Sequence, residues 1–270
     1  MFKFVLELNI LSLWNQDNFA VLRKMSLRIK NVSLTIEGRL IVDDVSITVK
    51  PGEVVGLMGP NGAGKTTTFN LAVGNLKPDK GDILMNKKYI TNLPLHSRAR
   101  KGLGYLTQEA SIFRDLTVKE NIDLALQNSS SSTAVIRNRR EIIINEFNLN
   151  NFVDNFGYQL SGGERRRCEI ARALSVGRKG PKYLLLDEPF AGIDPLAVND
   201  LKKLILKLSN TGVGILITDH NVRETLLITN KSYVMSEGRI LAYGSSSELA
   251  NDAIVKKYYL GNNFKLWIVN

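Results

Sequence analysis

The sequence predicts an α/β protein with a mainly parallel sheet, an antiparallel β-subdomain ahead of it and an inserted helical subdomain. Three observations predict this. Short apolar runs at 54–58, 183–186 and 213–218 alternate with stretches of helical spacing, as βαβ units do. Residues 29–36 and 40–49 instead interleave polar and apolar side chains, as a half-exposed strand pair does. The middle, about 94–158, carries helix signals, so it reads as a helical block set into the α/β frame.

In order along the chain, residues 1–24 are apolar in patches, interrupted by Glu7, Asn9, Asn15, Gln16 and Asp17. No stretch reaches the roughly 18 apolar residues that span a bilayer, and no small-residue cleavage site marks a signal peptide. Either this is a surface amphipathic segment, or it is an extension outside the fold with Met25 opening the folded unit. The second reading is favoured, with one domain over 25–266 and a tail at 267–270. Lys50-Pro51-Gly52 is a turn, 54–58 a buried strand, and 65–73 a helix after a glycine-rich bend. Residues 81–85 form a strand behind the turn at Pro78-Asp79. Thr117 with Glu120 is a capping box that opens a helix at Val118, and Ser161 with Glu164 is a second, opening a helix over 161–175. Between them lie a serine-rich loop at 128–133 and a helix over 137–147. Asp194-Pro195 is an N-cap followed by proline at the first helical position, and Leu201, Leu204, Ile205 and Leu208 continue that helix. Residues 233–243 form a hairpin around Glu237-Gly238.

Bulk properties narrow the class. The single cysteine excludes a disulfide framework and fits a reducing compartment; its helical setting makes Cys168 a packing residue. The net charge of +10 suits nucleic acid, an anionic membrane face or neither, and charge alone does not choose.

Two motifs carry chemistry. Gly59-Pro60-Asn61-Gly62-Ala63-Gly64-Lys65-Thr66-Thr67 follows a strand and opens a helix, the context a phosphate-binding loop requires. Its glycines let backbone N–H groups turn inward onto phosphate oxygens, and the helix N-terminus adds partial positive charge. Lys65 reaches the outer phosphates and Thr66 offers a hydroxyl to Mg²⁺. At the end of the 183–186 strand stand Asp187 and Glu188. A carboxylate buried there needs a partner, which Mg²⁺ supplies to Asp187. Glu188 is then placed to polarise the attacking water as general base.

Leu160-Ser161-Gly162-Gly163-Glu164, together with the P-loop, Asp187-Glu188, Gln108 in Gly-Tyr-Leu-Thr-Gln-Glu and His220 in Ile-Thr-Asp-His, resembles the ordered motif set of ABC-transporter ATPases. The resemblance covers about residues 25–266 and implies a P-loop NTPase core. It implies a head-to-tail homodimer in which Ser161, Gly162 and Gly163 of one subunit, with Asp194 at the interface, complete the ATP site of the other. It also implies that Gln108 contacts Mg²⁺ and the attacking water, and that His220 holds the γ-phosphate. One position departs: Ile36 stands where the family stacks an aromatic residue on adenine, so apolar packing replaces part of that stacking.

Further segments resemble the ATPases of bacterial lipopolysaccharide export. They are Leu93 to Arg100, Gly104 to Arg114, Ser161 to Arg167, Phe190 to Pro195, Thr218 to Thr225 and Tyr259 to Leu266. Thr107 replaces that family's usual proline, and the loop at 177–180 is longer. The resemblance implies a cytoplasmic subunit, peripheral on the inner membrane and docked under two transmembrane permease subunits, with Phe113 and Arg114 lining the docking groove. The alternatives are a branched-chain amino-acid type importer and a soluble ABC ATPase acting on ribosome or DNA. The segment 108–114 and the chain end favour export over the importer. A single motif set without a long heptad array argues against a nucleic-acid partner.

Overall fold

The computed structural model describes residues 25–129, 132–177, 180–261 and 264. The proposed extension at 1–24 and tail at 267–270 lie outside the described residues. Two sheets follow from two burial patterns. β1 (Leu27–Ile36) and β2 (Arg39–Val49) alternate buried and exposed positions, and they pair antiparallel around the Glu37-Gly38 turn. With β4 (Lys80–Met85) and β5 (Lys88–Tyr89) they make a four-stranded sheet in the order β2-β1-β4-β5. By contrast, β3 (Val54–Met58), β7 (Tyr183–Asp187) and β8 (Gly214–Thr218) are buried at every position, as central parallel strands are.

The six-stranded sheet runs β10-β9-β3-β8-β7-β6, with β6 at Leu103–Leu106, β9 at Lys231–Ser236 and β10 at Arg239–Gly244. Only the β9–β10 pair is antiparallel; the other four pairings are parallel. The carboxyl ends of β3, β8, β7 and β6 therefore line up at one edge, where ligands bind in open α/β sheets.

Helix α1 (Lys65–Val73) lies between the two sheets: its Phe69, Leu71, Ala72 and Val73 share a core with Val32 and Ile47 of the first sheet and Leu57 and Leu185 of the second. The helical block expected from residue 94 is corrected at its start. Helix α2 (Leu95–Arg100) runs into β6, which pairs with β7 from Leu103↔Tyr183 to Leu106↔Leu186. Four residues are too few to show a period, so tertiary pairing decided this strand. The helical block proper comprises α3 (Val118–Gln127) and α4 (Thr133–Glu146), joined by the Arg140–Asp123 ion pair at 2.7 Å. It packs on α5 (Gly162–Leu174) and, through a shared core, on α6 (Pro195–Asn210). Both capping boxes form, at Thr117/Glu120 and Ser161/Glu164, and Asp194 caps α6 through Leu196 and Ala197 N–H.

Cys168 is fully buried on α5, and burial pushes its thiol up to about 12. A raised thiol pKa starves the reactive thiolate. Near neutral pH, alkylation of the folded chain should run roughly a thousand-fold slower than that of the urea-unfolded chain. A time course with iodoacetamide checks this; equal rates would place the thiol at the surface.

Candidate active site

The P-loop joins β3 to α1. Its backbone can take this path because Gly59, Gly62 and Gly64 all have positive φ. Space is equally restrictive: a Cβ on Gly59 would lie 2.0 Å from the Met235 carbonyl oxygen. The loop is braced from behind, where Gly238 N–H donates to Ala63 O at 3.1 Å. Pro60, Asn61, Gly62 and Thr66 are exposed at its mouth, Thr67 is half-buried, and Ala63 and Lys65 are buried. The Lys65 ammonium donates to Gly59 O at 2.7 Å and Pro60 O at 2.9 Å. Burial depresses its pKa, and the charges of Glu188 and Asp187 oppose that shift.

Asp187 ends β7 only 1% exposed, and neither carboxylate oxygen has a hydrogen-bond partner among the described residues. Burial pushes its pKa up to about 6, with Glu188 reinforcing the shift and Lys65 and Arg166 opposing it. The Thr66 and Tyr105 hydroxyls are its polar neighbours. A second buried group without a partner, the Thr218 hydroxyl, stands at the end of β8 in register with Asp187. A desolvated carboxylate with hydroxyls close by but none in good hydrogen-bond geometry, next to the unpartnered Thr218 hydroxyl, fits a hard divalent cation. Among the described residues no group of three or more His, Cys, Asp and Glu side chains is poised to hold a metal alone. Mg²⁺ takes one or two protein ligands and fills its shell with water and phosphate oxygens.

Glu188 follows with φ of 52°, a left-handed conformation that is strained for glutamate and recurs at functional sites. Its N–H donates to Thr218 O at 2.8 Å. Its two carboxylate oxygens meet two exposed side chains: Gln108 Nε2 donates to Oε2 at 3.1 Å, and His220 Nε2 lies 2.8 Å from Oε1. The end of β6 thus supplies the amide, the end of β7 the carboxylate and the end of β8 the imidazole. His220 owes its position to buried Asp219, which accepts Phe190 N–H and Asn221 N–H, each at 2.8 Å.

Sequence reasoning missed Arg166. It is buried and donates to Asp187 O, Glu188 O, Pro189 O and Thr107 O, so one guanidinium ties the carboxylate turn to the strand leading into Gln108. It also pairs with Glu169 at 3.0 Å. Glu169 in turn accepts Ser111 N–H and Ile112 N–H, and Arg172 stacks 4.6 Å from the Phe113 ring centroid. Arg166, Glu169 and Arg172 recur every three residues along α5. The i, i+3 charge pattern was visible, but it reads equally as a solvated helix face. Phe113 is 45% exposed and Arg114 is exposed beside it. Buried Asn121 holds their loop by accepting Phe113 N–H and donating to Phe113 O, Leu116 O and Thr117 O.

Two expected site segments stand apart from this centre. Ser161, exposed at the N-cap of α5, lies against the 192–197 segment: a Cβ on Gly162 would meet Gly192 O at 3.2 Å, and one on Gly163 would meet Ala197 Cβ at 3.2 Å and Asp194 Oδ2 at 3.9 Å. Ile36 sits at the tip of the β1–β2 hairpin, 40% exposed.

A P-loop and an acid-bearing parallel strand make this a P-loop nucleoside-triphosphatase fold. Residues 42–191 match the ABC transporter family, and the chain belongs to that family, whose members hydrolyse ATP. It is 50% identical over 242 residues to the lipopolysaccharide export system ATP-binding protein LptB of Escherichia coli, covering 89% of this chain and 99% of that protein. It is 51% identical over 238 residues to the protein of the same name from Haemophilus influenzae, covering 88% and 98%. Among solved structures, an ATP-binding cassette of an ABC transporter in its ADP conformation superposes with a TM-score of 0.79 at 29% identity, covering 88% of this chain and 99% of that one.

Proposed function

We propose that this chain is the ATP-hydrolysing subunit of a lipopolysaccharide exporter, working as a homodimer beneath two transmembrane permease subunits. What carries the chemistry is the meeting of Gln108 and His220 on the two oxygens of Glu188, beside the P-loop. What supports the cargo is likeness to LptB over nearly the whole of both chains. The P-loop amides and Lys65 bind the phosphates of ATP. Thr66, Asp187 and Gln108 would hold Mg²⁺, which when bound neutralises charge on the phosphate oxygens. Glu188 accepts a proton from the attacking water, and Gln108 and His220 orient its carboxylate toward that water. Ile36 packs on the adenine.

Besides the P-loop on α1, the chain has a second glycine-rich helix start, Ser161-Gly162-Gly163 on α5, whose N-terminal dipole suits an anion. Two such ends in one short chain fit a shared site, with each signature closing the ATP held by the other copy and Asp194 lining the join.

No helix of the described residues is long and apolar enough to cross a membrane. Attachment to the inner membrane from the cytoplasmic side would run through the permeases, with Phe113 and Arg114 in the docking groove; the +10 charge suits an anionic leaflet.

The test is co-purification of a tagged chain from membranes, then reconstitution of the captured complex with lipopolysaccharide. ATP-dependent release of lipopolysaccharide to an acceptor is expected; capture of amino-acid importer permeases instead would overturn the cargo. Phe113→Ala should reduce permease recovery by about tenfold or more, as loss of an aromatic anchor does. ATPase activity of the isolated chain should stay within about twofold, because Phe113 lies outside the catalytic contacts.

A further inference from the structure

Arg98 is the largest fully buried side chain, 1% exposed, and no carboxylate pairs with it among the described residues. Each of its three nitrogens is bonded by backbone instead. Nη1 donates to Leu71 O at 2.7 Å and Ala72 O at 2.6 Å, Nη2 to Thr91 O at 2.8 Å and Nε to Leu93 O at 2.8 Å. Burial without a counter-charge lowers its pKa to about 10.

Leu71 and Ala72 belong to the last turn of α1, the helix whose first turn follows the P-loop. A helix leaves its last four carbonyls without partners inside the helix. Here Asn70 O takes the N–H groups of Gly74, Asn75 and Leu76, and Arg98 takes the next two. The arrangement requires glycine at the helix end. Gly74 has φ of 89°, and a Cβ there would lie 2.7 Å from Arg98 Nε. The opposite pair of bonds anchors the guanidinium to the 91–93 segment, and Arg98 itself sits on α2, which leads directly into β6 and Gln108.

We infer that Arg98 is a positioning residue for the nucleotide: by clamping the rear carbonyls of α1 to residues 91–93, it sets the orientation in which the front of that helix and Lys65 meet the phosphates. Helix α1 is nine residues long, a nearly rigid rod, so a tilt at its rear is delivered at its front. A positive charge at the C-terminal end also complements the helix dipole that draws anions to the N-terminal end. The inference rests on ATP binding at this P-loop.

The experiment measures steady-state ATP hydrolysis and binding of a fluorescent ATP analogue for the full chain and for Arg98→Met and Arg98→Lys, alongside melting curves. For Arg98→Met, KM and analogue Kd should rise about fivefold to thirtyfold, since sub-ångström misplacement of binding groups is costly. In the same variant kcat at saturating ATP should stay within about threefold, because Glu188 is untouched. Arg98→Lys keeps the charge and reaches fewer carbonyls, so its KM should fall between the two. A lowered melting temperature with KM and Kd at the wild-type value would overturn the inference and leave Arg98 purely structural. If Arg98→Met does not fold, Arg98→Lys decides: a wild-type KM in that variant overturns it too. A wild-type chain that binds no ATP analogue would instead refute ATP binding itself, a failure distinguishable from the others.

Discussion

Glu188→Gln should lose about 10²- to 10⁴-fold in ATP turnover while binding ATP as tightly as the wild type, the range expected for removing a positioned general base. The geometry makes the loss specific. Gln108 and His220 both bond the Glu188 carboxylate, at 3.1 and 2.8 Å, and Glu188 stands in a strained backbone conformation with φ of 52°. Glutamine has nearly the same shape and can keep a bond to either neighbour, so the turn at 187–190 should survive, held by Arg166 from the carbonyl side. Only the proton acceptor is gone. If the α5 signature of one copy closes the site of another, ATP held without hydrolysis should also trap a dimer. Size-exclusion chromatography of the variant with Mg·ATP should show twice the mass seen without it. Tight ATP binding by a species that stays monomeric would sink the self-paired site and point to a different chain as its other half.

Legibility from sequence was uneven for physical reasons. Elements with local signals were readable: α1 over 65–73, the two capping boxes and the Asp194-Pro195 start of α6 were all encoded within a few residues. Elements fixed by distant partners were not. β6 exists because β7 pairs with it, and Gly104 lets α5 approach so closely that a Cβ there would lie 2.4 Å from Ala173 O. The same division runs through the site. The P-loop and Asp187-Glu188 are contiguous strings with their own logic. Arg166 works through four carbonyls spread over residues 107–189, and Arg98 through four spread over 71–93, contacts that no local pattern announces. Backbone acceptors are present at every residue, so an arginine that binds them leaves no complementary residue in the sequence to find.

Asp187→Asn should do two opposite things. In metal-free, nucleotide-free buffer it should raise the melting temperature; with Mg·ATP it should cut turnover by about a hundredfold or more, as losing one preorganised electrostatic group does. The first effect follows from a carboxylate whose burial outweighs the opposing charges of Lys65 and Arg166. Asp187 is buried with both oxygens unpaired, and burial holds its pKa up at about 6 against an ordinary 3.8. A raised acid pKa means that the folded chain binds the proton more tightly than the unfolded chain. Stability therefore falls as pH rises from about 4 to 6, and the full penalty persists above that window, on the order of 1–3 kcal/mol. Asparagine carries no charge, so its advantage should be largest near neutral pH and shrink as pH drops toward the ordinary carboxylate range. Mg·ATP should reverse the ranking. A ligand at about a hundredfold its Kd stabilises the folded state by roughly 2.7 kcal/mol, and the variant, deprived of a charged metal ligand, should gain less of it. Melting curves with EDTA and with Mg·ATP, each at two pH values, test both halves. A variant that melts below the wild type in EDTA would mean that Asp187 is already paired within the fold, which would remove the structural reason for placing Mg²⁺ beside it.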